Sequence, residues 1–269
     1  MQYDPIKKSL GKLFNKTPFL RILFYKLLDI LLLRTWHVKK EIREWSNNRN
    51  GKQRILDAGS GFGQYTFFMS GMNKQWSVEA VDVKEEQIAD CTAFFSRIGR
   101  NNVRFGIADL TTYHQPDTFD MILSVDVMEH IEDDEQVFRN FYDALTREGM
   151  LLISTPSDQG GSDVHDHGEE ASFIDEHVRD GYNIDEIQEK LKRAGFTKTV
   201  ARFAYGKPGQ AGWRLSMKYP IQMLNASKLF FIVLPFYYIL TFPFALIFNW
   251  LDLIKPHKTG TGLIVKAFK

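Results

Sequence analysis

Ile55-Leu56-Asp57-Ala58-Gly59-Ser60-Gly61-Phe62-Gly63 is the stretch that decides the fold of this 269-residue chain. An apolar pair ends in an acid, and glycine then falls at every second position. Gln64-Tyr65-Thr66 opens a new amphipathic run. The pattern predicts a buried parallel strand, a turn without room for side chains, and a helix N-terminus. Such a turn lets a ligand press on the backbone.

A dinucleotide fingerprint places its glycines as G-x-G-x-x-G. Here Gln64 stands where the third of those glycines belongs, and Asp57 precedes the first. A carboxylate there repels a pyrophosphate and tolerates an ammonium or sulfonium. The rest of the chain repeats the theme. Val78–Val83 is a second apolar strand carrying Asp82, 21 residues after Gly61, where a carboxylate can accept both ribose hydroxyls. Val103–Leu110 is a third strand, ending at Asp109. Phe119–Val125 is a fourth and runs into Asp126-Val127-Met128-Glu129-His130. Gly149–Pro156 is a fifth.

Glycines 59, 61 and 63 behind Asp57, with the two later strand-end acids, resemble motif I and its sequels in the class I S-adenosylmethionine-dependent methyltransferases. The resemblance implies an α/β fold: a seven-stranded, doubly wound Rossmann-like sheet closed by an antiparallel pair, with S-adenosylmethionine as cofactor. Thr197–Ala204 and Gly262–Phe268 fit strands six and seven. The cofactor site it implies comprises Asp57, Gly59, Ser60, Gly61, Asp82, Val83, Asp109, Leu110, Ser124, Val125 and, from the N-terminal flank, Arg34, with Val83 against the adenine and Asp109 near its amino group. An N-terminal helix would close over the site as a lid, with Arg34, Trp36 and His37 as its candidates.

The net charge of +1 hides an asymmetry. Residues 1–54 carry 13 Lys/Arg against 4 Asp/Glu, residues 55–206 carry 13 against 28, and residues 207–269 carry 8 against 1. An acidic core lies between two basic flanks rich in large apolar side chains. That combination points to an anionic membrane surface rather than to nucleic acid. One cysteine, Cys91, allows no internal disulfide. With no secretory leader pattern read at the N-terminus, the expected location is the cytoplasm, peripherally on a membrane.

Residues 17–45 read as one helix, with Leu20, Leu23, Phe24, Leu27, Leu28, Leu31 and Leu32 at helical spacing. Leu229–Leu251 is 23 residues without a formal charge, long enough to span a bilayer. A single crossing would leave strand seven on the wrong side. Residues 207–258 are therefore expected to form an inserted helical hairpin, broken near its tip at Pro235 and Pro243, with Lys218, Lys228, Lys255 and Lys258 at headgroup level. A buried cap or a homodimer interface would satisfy the same apolarity. The division expected is a lid at 1–50, a cofactor-binding core at 51–206, the insertion at 207–258 and the last strand at 259–269.

Ser124–His130 is most similar to the ubiquinone- and menaquinone-biosynthesis methyltransferases, a resemblance covering roughly residues 50–200. It implies a divalent cation held by Asp126, Glu129 and His130, although a loop-organising role suits the same residues. O-methylation also needs a base near neutral pH. His177 is the first candidate and His165 the second. The reading is an S-adenosylmethionine-dependent methyltransferase acting on a lipophilic acceptor at a membrane surface, by O-methylation. The alternatives are a soluble acceptor, with the insertion as lid or dimer interface, and a non-catalytic cofactor-binding scaffold.

Overall fold

The computed structural model describes residues 17–47, 49, 51–160, 178–227 and 229–269. Its elements run α1 (Pro18–Leu31), α2 (Leu33–Ser46), β1 (Arg54–Ala58), α3 (Gln64–Met72), β2 (Ser77–Asp82), α4 (Glu85–Arg97), β3 (Val103–Ile107), β4 (Phe119–Val125), a 3-10 turn (Met128–His130), α5 (Asp134–Ala144), β5 (Leu145–Pro156), α6 (Ile184–Arg193), β6 (Lys198–Ala204), α7 (Lys207–Trp213), a π-turn (Arg214–Lys218), α8 (Tyr219–Ala226), α9 (Phe230–Ile254) and β7 (Gly262–Phe268).

The seven strands form one sheet in the order β3-β2-β1-β4-β5-β7-β6. Strands β1 to β5 are parallel, and β7 runs antiparallel between β5 and β6. Alternate residues of the central strands face opposite sides. Leu56, Ile122, Leu151 and Ile153 pack with Val137, Phe138 and Phe141 of α5 and Ile187 and Leu191 of α6. Ile55, Met121, Leu123 and Leu152 pack with Val38, Ile42 and Trp45 of α2 and Tyr65 and Met69 of α3. Strands apolar on both faces are what a parallel sheet covered by helices requires. The strand order reverses direction between β1 and β4, which opens a crevice at their C-terminal ends.

The N-terminal flank is two helices rather than one. Leu32 is extended (φ −93°, ψ 110°) and separates them. The leucine stripe is not the buried face of α1. Arg21 and Tyr25 are buried instead, while Leu23, Leu27 and Ile30 are exposed. Tyr25 lies against Phe67 and Phe94, whereas α2 lies against the sheet, so one straight helix cannot serve both surfaces.

The insertion is a helical hairpin, but its arms separate after Ser227, the C-cap of α8, and not at the prolines. Pro235 and Pro243 lie inside one continuous 25-residue helix, α9, packed along α7, the π-turn and α8. The two arms approach closely because the partner arm is small there. A Cβ on Gly212 would fall 2.4 Å from Asn249 Oδ1, and one on Gly209 would fall 2.7 Å from Asp252 Oδ1. The π-turn leaves carbonyls without regular helical partners. Tyr237 and Tyr238 of α9 donate their hydroxyls to Leu215 O and Ser216 O at 2.8 and 2.9 Å.

The base of the hairpin is wired to α2. Asp252 is fully buried, and its Oδ2 accepts from His37 Nε2 at 2.9 Å and from Tyr205 N–H at 3.1 Å, and its Oδ1 from Gly209 N–H at 3.0 Å. Arg202 donates to His37 Nδ1, and Arg202 and Lys266 both hold Glu41. Burial, with Arg202 beside it, lowers the His37 pKa and keeps the ring neutral, with its proton on Nε2. Burial opposes ionisation of Asp252, but the hydrogen bond from His37, the His257 imidazole beside it and the Gly209 N–H outweigh it and hold its pKa below the ordinary value.

Candidate active site

Two adjoining cavities open at the C-terminal edge of the sheet. The larger, about 770 Å³, is lined by the glycine turn, by Asp82 and Val83 after β2, by Asp109 and Leu110 after β3, and by Val125 to Val127 after β4. Arg34, Tyr65, Gln87, His130 and Glu132 complete its wall.

The glycine turn is held by what surrounds it. Gly59 and Ser60 both donate backbone N–H groups to Val81 O at 2.9 Å. Asp82 accepts from Gly61 N–H through Oδ2 and from Lys84 N–H through Oδ1, each at 2.9 Å, which fixes its carboxylate at the cleft edge. Gly59 sits at φ +80°, and a Cβ there would lie 2.2 Å from Val127 Cγ2. Gly61 sits at φ +51° with only Gln87 Oε1 near, at 3.9 Å, so its bare Cα faces open space. Arg21 donates to Phe62 O at 2.9 Å, and the Tyr25 hydroxyl donates to the same carbonyl. These two clamps escaped sequence reasoning because they lie on the polar side of α1, where apolar periodicity gives no signal.

Of the residues the sequence marks for the cofactor, Gly59, Ser60, Gly61, Asp82, Val83, Asp109, Leu110, Val125 and Arg34 line this cleft together. Asp57 and Ser124 do not. Asp57 is buried beneath the turn and accepts from Thr66 Oγ1 at 2.5 Å. Burial pushes its pKa up to about 6 against the pull of Thr66. Ser124 is fully buried in β4. Both sit one layer below the cavity, because a strand that turns its acid inward under a glycine turn presents backbone, not side chain, to the ligand. Asp109 is exposed and is held below its ordinary pKa by bonds from the Thr111 hydroxyl and N–H.

The second cavity, about 190 Å³, is bounded by Asp126, by Ser154 to Pro156 at the end of β5, and by Ala204, Tyr205 and Thr261 to Ile264 where β6 and β7 meet. Arg34 and Asp126 line both cavities, and their side chains form an ion pair between them. Asp126 is held at φ +50°, with its N–H on Ser154 O at 2.8 Å. Arg34 N–H is anchored by Tyr205 Oη at 2.8 Å. The other two lid candidates do not face the cofactor cleft. Trp36 bonds Ile30 O on the flank, and His37 is turned into the Asp252 hub, with only its side against the smaller cavity.

Asp126, Glu129 and His130 do not converge as metal ligands, and no cluster of three or more His, Cys, Asp or Glu side chains suits a metal ion among the described residues. Asp126 turns to Arg34, and Glu129 is buried against Thr155 Oγ1 at 3.1 Å. The reason is local: residues 128–130 form a 3-10 turn preceded by a left-handed residue, which splays positions that a helical turn would align. His165 and His177 lie outside the described residues.

The cleft fits an adenosyl sulfonium ligand on its own chemistry. Ser60 Oγ is buried beside it without a hydrogen-bond partner, the space over Gly61 is open, and carboxylates stand at the ends of β2, β3 and β4.

Comparison with known proteins agrees. A family model described as a methyltransferase domain matches residues 49–196. Phosphoethanolamine N-methyltransferase 1 from Arabidopsis thaliana is 34% identical over 164 residues, covering 60% of this chain and 32% of that protein. Malonyl-[acyl-carrier protein] O-methyltransferase from Bacillus anthracis is 30% identical over 116 residues, covering 43% of this chain and 42% of that one. The chain thus spans about a third of the length of the phosphoethanolamine enzymes it matches. These relatives are not quinone-pathway enzymes, so the narrower likeness read from Ser124–His130 gives way to a broader one. Phosphoethanolamine N-methyltransferase 2 from Haemonchus contortus, solved with phosphomonomethylethanolamine and S-adenosylhomocysteine, shares the fold with a TM-score of 0.58 at 20% identity, over 87% of this chain and 52% of that one. A glycine turn at the switch point of a 3-2-1-4-5-7-6 sheet, matched by that model across more than half the sequence, places the chain in the methyltransferase domain family.

Proposed function

We propose that this protein transfers a methyl group from S-adenosylmethionine to a lipophilic acceptor at a membrane surface. The observation that carries the reading is the pair of cavities sharing one wall, Arg34–Asp126: a nucleotide-type cleft on one side and a smaller pocket at the root of an exposed apolar hairpin on the other. Asp82 would hold the ribose hydroxyls, the unpartnered Ser60 hydroxyl the amino-acid part, and Leu110 and Val83 the adenine. The cofactor supplies a methyl carbon activated by its sulfonium. The chain contributes mainly alignment and exclusion of water.

The membrane half of the reading rests on α9. It is long and apolar enough to cross a bilayer by length and composition, yet its apolar surface is bare: Phe231, Ile232, Phe236, Ile239 and Leu240 are each 64–71% exposed. Burying its large exposed side chains would contribute on the order of 10 kcal/mol. The sheet forbids a single crossing. Ala204, just before the excursion, pairs directly with Gly262, just after it, so the chain leaves and returns at one place. A soluble acceptor, with the hairpin as a dimer interface, is the second reading, and the small substrate named for the plant relatives favours it.

Titration calorimetry with S-adenosylmethionine, followed by methyl transfer from labelled cofactor into lipid or aqueous metabolite extract, tests the proposal. Label entering the lipid phase supports it. Label confined to water-soluble products, or tight binding of NADH in place of S-adenosylmethionine, refutes it.

A further inference from the structure

The smaller cavity lies at the root of the hairpin. Ala204 and Tyr205 are the last residues before the excursion, and Thr261 and Gly262 the first after it, and all four line the pocket. A lipid whose tails lie along α9 would therefore present its polar end to this pocket. At about 190 Å³ the pocket holds roughly six water-sized groups, enough for a headgroup and too little for an acyl chain.

The formally charged groups facing that space are one cation and one anion, among the polar side chains of His37, Ser154, Thr155, Tyr205 and Thr261. The Arg34 guanidinium and the Asp126 carboxylate satisfy each other across the opening between the cavities. Both are one-third exposed on their side chains, so the pair can be exchanged for ligand groups without burying a bare charge. An acceptor with its own anion and cation, a few bonds apart, matches this pair charge for charge. Arginine's planar fork suits a phosphate, and a carboxylate suits an ammonium.

Resting on the methyltransferase reading above, we infer that the acceptor is the amine-bearing zwitterionic headgroup of a phospholipid, with Arg34 on its phosphate and Asp126 on its amine. The flanks supply the matching surface. Residues 207–269 carry 8 basic side chains and 1 acid, and that acid, Asp252, is buried in the hub. The second bare apolar face, Phe19, Leu23, Leu27 and Ile30 of α1, lies on the helix leading directly into α2, which carries Arg34.

The chemistry balances. The ammonium of the headgroup first gives one proton to Asp126 or to water. Its freed lone pair forms the new C–N bond as the C–S bond of the donor breaks, sulfur keeping the bonding pair. The product is a secondary amine that leaves protonated, and S-adenosylhomocysteine leaves neutral at sulfur.

The test presents the full chain and labelled S-adenosylmethionine to three acceptors: vesicles of phosphatidylethanolamine with phosphatidylglycerol, vesicles of phosphatidylcholine with phosphatidylglycerol, and free phosphoethanolamine in water. Label in the organic phase with the first vesicles alone is expected. Arg34→Gln should raise the KM for the amine lipid about 10-fold or more, the loss of a charge-assisted hydrogen bond, with vesicle pelleting unchanged. Label on free phosphoethanolamine only overturns the lipid headgroup and leaves the methyltransferase reading standing. Cofactor binding without transfer to any of the three overturns the headgroup assignment, and absent cofactor binding overturns the reading beneath it. An unchanged lipid KM in Arg34→Gln overturns the role of that side chain.

Discussion

Asp57→Asn should stabilise this protein at neutral pH. Asp57 is buried under the glycine turn, and its one side-chain partner is the Thr66 hydroxyl. Its pKa rises from 3.8 in the unfolded chain to about 6 in the fold. The native state therefore binds more protons than the unfolded state between those values, and the contribution of this group to stability falls as pH rises through that window. A gap of that size, at about 1.4 kcal/mol per pH unit, makes the ionised carboxylate cost about 3 kcal/mol above pH 6. Asparagine keeps an oxygen that accepts from Thr66 and carries no charge. Urea unfolding of both proteins at several pH values from about 3 to 8 checks this. The variant should exceed the parent by about 3 kcal/mol at pH 7.5, and the gap should shrink as pH falls through 6 and close only below pH 3.8. Equal or lower stability of the variant at pH 7.5, with parallel pH profiles, would refute the argument that burial outweighs the Thr66 bonds at Asp57. S-adenosylmethionine should still bind the variant, because Asp57 does not line the cleft.

Asp82→Ala removes the acceptor for Gly61 N–H and Lys84 N–H and the proposed ribose ligand; calorimetry should show cofactor affinity weakened at least about 10-fold, since each charged hydrogen bond contributes about 1.5–3 kcal/mol. Gly59→Ala forces a Cβ against Val127 at a positive φ, so stability should fall by roughly 2–5 kcal/mol, strain and overpacking together, in a thermal melt. Asp252→Ala strands His37, Tyr205 N–H and Gly209 N–H in the buried hub and should lower stability in urea unfolding by about 1–3 kcal/mol for each buried donor left unsatisfied. Ile239→Glu with Leu240→Glu changes side chains about 70% exposed: the melting temperature should hold, and sedimentation with anionic vesicles should fall sharply. Unchanged pelleting would show that α9 does not enter the bilayer.

Much of this molecule was legible in order along the chain. The glycine turn, four parallel strands with acids at their ends and the closing antiparallel pair all carry local signals: apolar alternation or runs, then a carboxylate, then a breaker. Residues 119–125 and 262–268 form strands with the bounds the sequence implied. Such signals survive because burial on both faces and the need for a bare backbone at a ligand are local demands.

What the tertiary structure decided is which of those residues meet. Asp57 and Asp82 look alike in sequence, each an acid at a strand end, but one is buried beneath the turn and the other holds its edge. Asp126, Glu129 and His130 have the spacing of a helical face, yet a left-handed residue and a 3-10 turn separate them. Arg34 meets Asp126 from 92 positions away, and His37 meets Asp252 from 215. Side-chain partnerships across such distances depend on how helices sit on a sheet. Sequence periodicity reports only whether a face is apolar, so the glycine turn was readable from its own residues, and the pocket beside it was not.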